Sequence, residues 1–467
     1  LFICSMSVLI VSLDITIVNI ALPSIGRDFH ATLSGLQWTV DAYTLVLASL
    51  LMLSGSTADR LGRRRTFIVG LSIFVVGSLL CSLAPSLGAL VVFRMLQAVG
   101  GSMLNPVAMS IITNTFTDAK ERAQAIGIWA AVVGVSMALG PVVGGVLVDS
   151  VGWRSIFWIN IPVGVAAGVL AMRYVPESKS SVARRVDVRG QALVIIVLAT
   201  LTFGIIQAPS YGWTSATTLG VLGVSVVALL VLVVWEHRVL EPLIEMRFFR
   251  SAPFSTATLI AVTSFASLGG FLFLNTLYLQ DVRGLSPVGA GLDTLPMAAM
   301  TFFIPPFSGW MVGHHGARIP LVIGGLGIFG GCVTLTRLSA GTPFTLLFLA
   351  YAVFGVGFGF VNAPITSAAV SGMPRAQAGV ASAIASTSRQ IGATLGVAVV
   401  GALVSSKIGS SSARSFAIAM RAGWWVLAGC GAAVLVLGLI GTSKWAYATA
   451  TRTATALNPE YLEGREP

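Results

Sequence analysis

Asp14, in "LDITIVNIALP" (residues 13–23), places a carboxylate among side chains suited to hydrocarbon. Of the 17 acids in the chain, it and two others, Asp41 in "QWTVDAYTL" and Asp293 in "GAGLDTLPMAAM", fall well inside apolar stretches. Arg94 and Arg389 are the matching cations, the latter beside Gln390 in "STSRQIGATLG". A charge at the centre of a bilayer costs about 2.5–3.5 kcal/mol, so such residues face a wet cavity or a partner. An acid so placed is suited to take up a proton from one side and release it to the other. The opposing reading is a permanent ion pair between Asp14 and Arg94, in which the carboxylate stays ionised and carries nothing. Both hold if the pair forms in one conformation only.

Asp41 reads either as a cavity-lining acid or as a hydrogen-bonded structural one. Asp293 reads as a site for a second proton or a cationic substrate, or as a wetted helix end, and it is the expected partner of Arg389. Other chemistries find little support. Cys4, Cys81, Cys332 and Cys430 lie far apart in apolar stretches, and His314 and His315 have no further ligands at metal spacing. No phosphate-binding glycine–lysine motif is present, and three acids with two arginines make no nucleophile–base set, so neither a cofactor nor an enzyme activity is expected.

The elements that must hold these residues are membrane helices. The composition is 55% hydrophobic and only 10% charged, with a mean hydropathy of +0.90, against about 25% charged in soluble domains. Stretches of roughly 20 apolar residues cross a bilayer as helix, and fourteen can be read, from 1–22 and 37–57 through 253–279, 288–312 and 379–405 to 416–441. The first opens at Leu1 without a methionine or polar leader, so residues upstream of it are expected, and a cleaved signal is not.

Two echoes reveal a repeat. "SGSTADRLGRRR" from Ser54 and "SGWMVGHHGARI" from Ser308 share Ser, Gly, a later Gly and an Arg at an offset of 254 residues, and "RAQA" recurs at Arg122 and Arg375. Both map a span onto the one eight further along, so a six-helix repeat carries two extra helices. The expected organisation is an all-α membrane fold of two six-helix bundles, residues 1–175 and 251–443, with two inserted spans within 176–250 and a tail over 444–467. Such repeats place binding sites near the bilayer midplane. Lys and Arg cluster on the side of the Asp59–Arg65 loop, which puts that side and both termini in the cytoplasm. The net charge of +11 reflects this bias and attraction to anionic lipid, with no basic soluble domain to hold nucleic acid.

These motifs together resemble the major facilitator superfamily, and within it the fourteen-span drug:proton antiporters. "LDITIVNIALP" resembles that family's first-span motif, "GSTADRLGRRR" its shared loop motif, "FRMLQAVGG" from Phe93 its fourth-span arginine motif and "GVSMALGPVVGG" from Gly134 its fifth-span antiporter motif. The resemblance implies proton coupling for Asp14 and a coupling role for Arg94, with Asp41 and Asp293 as further candidates. Many members carry no acid at the position of Asp293. The "GP..GG" pattern of Gly140, Pro141, Gly144 and Gly145 is similar to that of the exporter branch. The implied protein is a proton-coupled multidrug efflux antiporter of the plasma (inner) membrane that confers antibiotic resistance, acting as a monomer with small hydrophobic or cationic substrates, protons and lipid as its partners. A dedicated exporter of one metabolite, lipid or self-made antibiotic is the alternative.

For cargo, the candidate lining is aromatic and weakly polar: Trp38, Tyr43, Trp129, Asn275, Tyr278, Phe358 and Asn362, with Arg389 and Gln390. Rings beside a carboxylate suit lipophilic cations. For gating, Gly55 is read as permitting close packing. Asp59, with Arg60, Gly62 and Arg63 in its loop, is read as accepting hydrogen bonds from a neighbouring helix N-terminus. The small residues of span 5 are read as a close-packing face.

Overall fold

The computed structural model describes residues 1–179, 187–239, 242–371, 373, 378–407 and 413–457. Its described residues are helical, without strands, and fourteen helices are long and apolar enough to cross a membrane. In chain order these spans are Phe2–Phe29, Leu33–Leu61, Arg63–Ser82, Leu87–Thr115, Lys120–Ser150, Ser155–Tyr174, Val188–Tyr211, Ala216–Glu236, Ala252–Val282, Pro287–His315, Arg318–Leu335, Phe344–Val370, Gly379–Ser405 and Ser415–Gly441. A further helix, Lys444–Leu457, follows where the sequence suggested only a tail. The second "RAQA" echo at Arg375 lies outside the described residues.

Polar residues punctuate the apolar runs. Thr32, Ser86, Asp118, Asp187, Ser215 and Ser286 each accept a backbone N–H in the first turn of the helix they precede, satisfying donors that lipid cannot. Span 1 runs past Pro23 and ends at His30, which adopts φ 49° and returns its N–H to Gly26. Proline removes one backbone donor but does not stop a helix whose neighbours pack around it. Two spans break where the chemistry sits. Span 6 is interrupted just before Asn160, and span 10 at Thr294, directly after Asp293.

The two halves meet at the end remote from the Asp59 loop and at mid-depth. Gln280 donates to the Ile20 carbonyl (2.8 Å), Gln37 to those of Val397 and Ala398 (3.2 and 2.9 Å), Thr394 to Thr44 (2.9 Å), and the Val288 N–H to Asp149 (3.1 Å). Glycine makes this approach possible. A Cβ on Gly145 would lie 2.6 Å from the Pro287 carbonyl oxygen, and one on Gly291 would lie 2.3 Å from that of Pro141. On another face of span 5, Gly140 and Gly144 admit Thr16 and Ile17 of span 1. At the Asp59 end the picture reverses. A Cβ on Gly55, Gly309 or Gly313 would meet nothing within 4 Å, so Gly55 provides no close packing in this state.

Gly145→Val should therefore pry the joined end apart, because the obstructing atoms are backbone. Spin-label distances between the ends of spans 5 and 10 should lengthen, with the population moving toward a form open there; an unchanged distance distribution contradicts the seam described.

Spans 7 and 8 pack alongside spans 2 and 13. Gln191 donates to the Ser49 carbonyl, Trp38 meets Phe203 with ring centroids 6.1 Å apart, and Leu45 and Ala48 form one apolar cluster with Val194, Leu198 and Leu232.

Candidate functional site

Asp14 is completely buried at the centre of the N-terminal half, and every hydrogen bond made to it comes from a nitrogen. Arg94 Nη1 donates to its Oδ2. Gln97 Nε2 (2.9 Å) and Asn160 Nδ2 (3.0 Å) donate to Oδ1. Arg94, 1% exposed, also donates from Nη1 to Gln97 Oε1 (2.7 Å) and from Nε to the Thr39 carbonyl (3.3 Å). Its guanidinium carbon lies 4.2 Å from the Tyr43 ring centroid, a cation–π contact. Ser78 closes the network by accepting from Gln97 at 2.8 Å. Spans 1, 2, 3, 4 and 6 thus share one buried ion pair, whose donor set suits an ionised carboxylate.

The permanent-pair alternative is therefore the arrangement in this state, and Asp14 faces a partner, not a wet cavity. Gln97, Asn160, Ser78 and Thr39 escaped the sequence reading because neutral polar residues are common in membrane spans. Arg94 and Gln97 at i and i+3 do share one helix face, which was the available signal.

Asp41 is also fully buried, and neither carboxylate oxygen has a hydrogen-bond partner. Its place follows from helix geometry. Gln37 and Thr44, four residues before and three after, both bond across to span 13, so Asp41 occupies the same face of span 2 at the seam between the halves. Leu45 and Ala48, next along that stripe, lie against spans 7 and 8.

Asp293 and Arg389 are not partners. Asp293 lies near the joined end, half-buried, with Oδ2 unpartnered. Arg389 sits toward the other end of span 13, its Nη2 donating to Thr366 Oγ1 (2.6 Å) on span 12. At 1.5 Å per residue, their positions along oppositely directed spans leave them about 15 Å apart in depth.

The candidate lining disperses. Tyr43 lies beneath Arg94, Trp38 faces Phe203 of span 7, Asn275 accepts from Tyr351, and Tyr278 donates to the Ser339 carbonyl (2.8 Å). Phe358 packs edge-on to Phe265 (5.2 Å), beside Arg389. Trp129, Asn362 and Gln390 are half-buried.

The loop of Asp59 also differs from expectation. Asp59 pairs with Arg63 (3.0 Å) rather than with a helix N-terminus. The acid that caps such a terminus is Glu177, which accepts from the Arg64 and Arg65 N–H groups (3.1 and 3.3 Å). Gly62, at φ 111°, tolerates no side chain there because a Cβ would meet Glu177 at 2.5 Å. Arg60 is exposed. Among the described residues no group of three metal-ligating side chains occurs.

Residues 4–397 match the Major Facilitator Superfamily. The Multidrug resistance protein Stp of Mycobacterium tuberculosis is 38% identical over 392 residues, 84% of this chain and 73% of that protein. The Tetracenomycin C resistance and export protein of Streptomyces glaucescens is 39% identical over 406 residues, 87% of this chain and 75% of that one. A solved bacterial homologue of the human lysosomal transporter Spinster, in an inward-facing and occupied conformation, superposes with a TM-score of 0.67 at 16% identity, covering 100% of this chain and 97% of its own. A bundle of fourteen candidate spans, with a buried acid–arginine pair where the fourth-span motif falls, agrees with the match: the chain is a multi-pass membrane protein that belongs to the major facilitator superfamily of transporters and is related to multidrug resistance and antibiotic export proteins.

Proposed function

We propose that the protein exports hydrophobic compounds in exchange for protons, by alternating access between its two halves. The observation that carries this reading is the asymmetry of the seam, in which the halves are bonded at one end while the glycines at the other meet nothing. With the arginine-rich loop on the cytoplasmic side, this is a form closed to the outside, with both termini cytoplasmic. Residues 1–175 and 251–443 act as the rocking bodies, and the pair within 176–250 rides on the seam.

The proton is carried at Asp41. Among the described residues the seam offers an ionised Asp41 no donor and no counter-charge, and burying an unpaired carboxylate is far costlier than burying the neutral acid. Protonation therefore accompanies this closure: Asp41 takes up its proton from the outside while the seam is open, carries it inward as the seam closes, and gives it up toward the cytoplasmic side before the seam reopens. Asp14 joins the cycle only when the other conformation draws Arg94 away from it.

The expectation of a cationic cargo rested on acids close to rings. The three in-span acids are placed elsewhere, in the ion pair, at the seam and near the joined end, so cationic charge is not part of the proposed cargo. One relative is named for multidrug resistance and another for a single compound, so a dedicated exporter of one compound remains the second reading, separated from the first by substrate breadth.

Everted vesicles energised by an imposed pH gradient test the exchange. Accumulation of a fluorescent hydrophobic dye that collapses when the gradient is dissipated supports it, and gradient-independent accumulation contradicts it.

A further inference from the structure

We propose that Arg389 is an anion-recognition site in the C-terminal half, and that the cargo it selects is an amphiphile with a planar acidic group, a carboxylate or enolate, on an apolar body. This rests on the export reading and names its substrate class.

The charges within the spans decide it. Arg94 is neutralised by Asp14, whereas among the described residues no carboxylate lies within ion-pair distance of Arg389. Among the described residues its one hydrogen-bond partner is the neutral hydroxyl of Thr366, and its Nε–H is buried with none. Asp41 does not supply the missing charge: Thr44, three residues further along span 2, meets Thr394, five residues beyond Arg389, so the acid and the arginine are held at different depths. Asp293 lies nearer still to the joined end.

Arginine cannot shed its proton, and its planar fork of donors matches the two oxygens of a carboxylate better than any other side chain does. A cation kept this deep without a counter-ion is expensive, which points to a counter-ion that comes and goes. The surroundings specify the rest of the ligand. The guanidinium carbon lies 5.9 Å from the Phe265 ring centroid, and Phe265 meets Phe358 edge-on at 5.2 Å, an apolar wall suited to an aromatic body. Thr366 is exposed and Gln390 half-buried, so the arginine is approached from an open side. Exchanging one proton inward for one such monoanion outward moves two charges down an inside-negative potential, so transport is electrogenic.

The test uses the full chain in phosphatidylcholine nanodiscs and three fluorescent probes of one body: 1-pyrenebutyrate, its methyl ester, and pyrenylbutyl-trimethylammonium. Wild type should bind the carboxylate at least tenfold more tightly than either of the others. Arg389→Gln should lose that preference while binding the ester as before, and Arg389→Lys should keep part of it. Matched thermal unfolding of the three proteins guards against misfolding. Equal or tighter binding of the ester or the ammonium, absence of binding by all three, or an unchanged preference in Arg389→Gln overturns the proposal. Displacement of the carboxylate by added phosphatidylglycerol, dependent on Arg389, would assign the site to lipid headgroups and overturn the cargo assignment. The two readings fail separately. Loss of the preference with intact proton-driven dye export removes only the anion site. Selective binding with no proton-driven movement removes only the exporter.

Discussion

Arg94→Ala is expected to destabilise the protein by about 3–5 kcal/mol, the cost of leaving one member of a buried ion pair without its counter-charge, and to abolish transport. The substitution strands Asp14 at zero exposure, removes the donors to Gln97 and the Thr39 carbonyl, and takes the cation from the Tyr43 face. Unfolding of the detergent-solubilised protein by dodecyl sulfate measures the loss. Asp14→Asn should fall short by a similar amount, since Arg94 is then the stranded charge. Replacing both together, Asp14→Leu with Arg94→Met, should lose clearly less than either single change, because removing a whole buried pair costs far less than breaking it. A double variant as damaged as the sum of the singles contradicts the pairing. This geometry also means that a loss of transport in Asp14→Asn does not by itself identify a proton carrier.

Asp41→Asn is the cleaner probe and the second large effect. Neither Asp41 oxygen makes a hydrogen bond, so the nearly isosteric amide removes no partner, and stability should change by no more than about 0.5–1 kcal/mol. Proton-driven export should nevertheless fall at least a hundredfold, because the side chain can no longer take up a proton when the seam opens and carry it inward. Equilibrium exchange of substrate between the two sides, which needs rocking but no proton, should survive. Undiminished uphill export by this variant would remove Asp41 from the cycle.

Much of this architecture was legible because hydrocarbon demands long apolar helices, so all fourteen spans could be read from the sequence. The rare charges Asp14 and Arg94 marked their own site for the same reason, since their cost in lipid must be offset by something. What the sequence hid were neutral groups and distant partners. Gln97 and Asn160 look like ordinary span residues until the break before Asn160 brings it onto Asp14. Glu177 caps a helix 113 residues earlier in the chain, which no local pattern encodes. The expected Asp293–Arg389 pair paid no attention to depth along oppositely directed helices. Gly55 was expected to be a contact, yet it lies at the end where the halves stand apart.

Purified protein in liposomes, with a pH-sensitive dye trapped inside and a saturating hydrophobic substrate added to one face, reads the central claim directly as protons moved per substrate. Wild type should show substrate-dependent proton flux, and Asp41→Asn should show none while still exchanging substrate at equilibrium. Equal proton flux from both proteins, or none from wild type during uphill transport, would contradict the account.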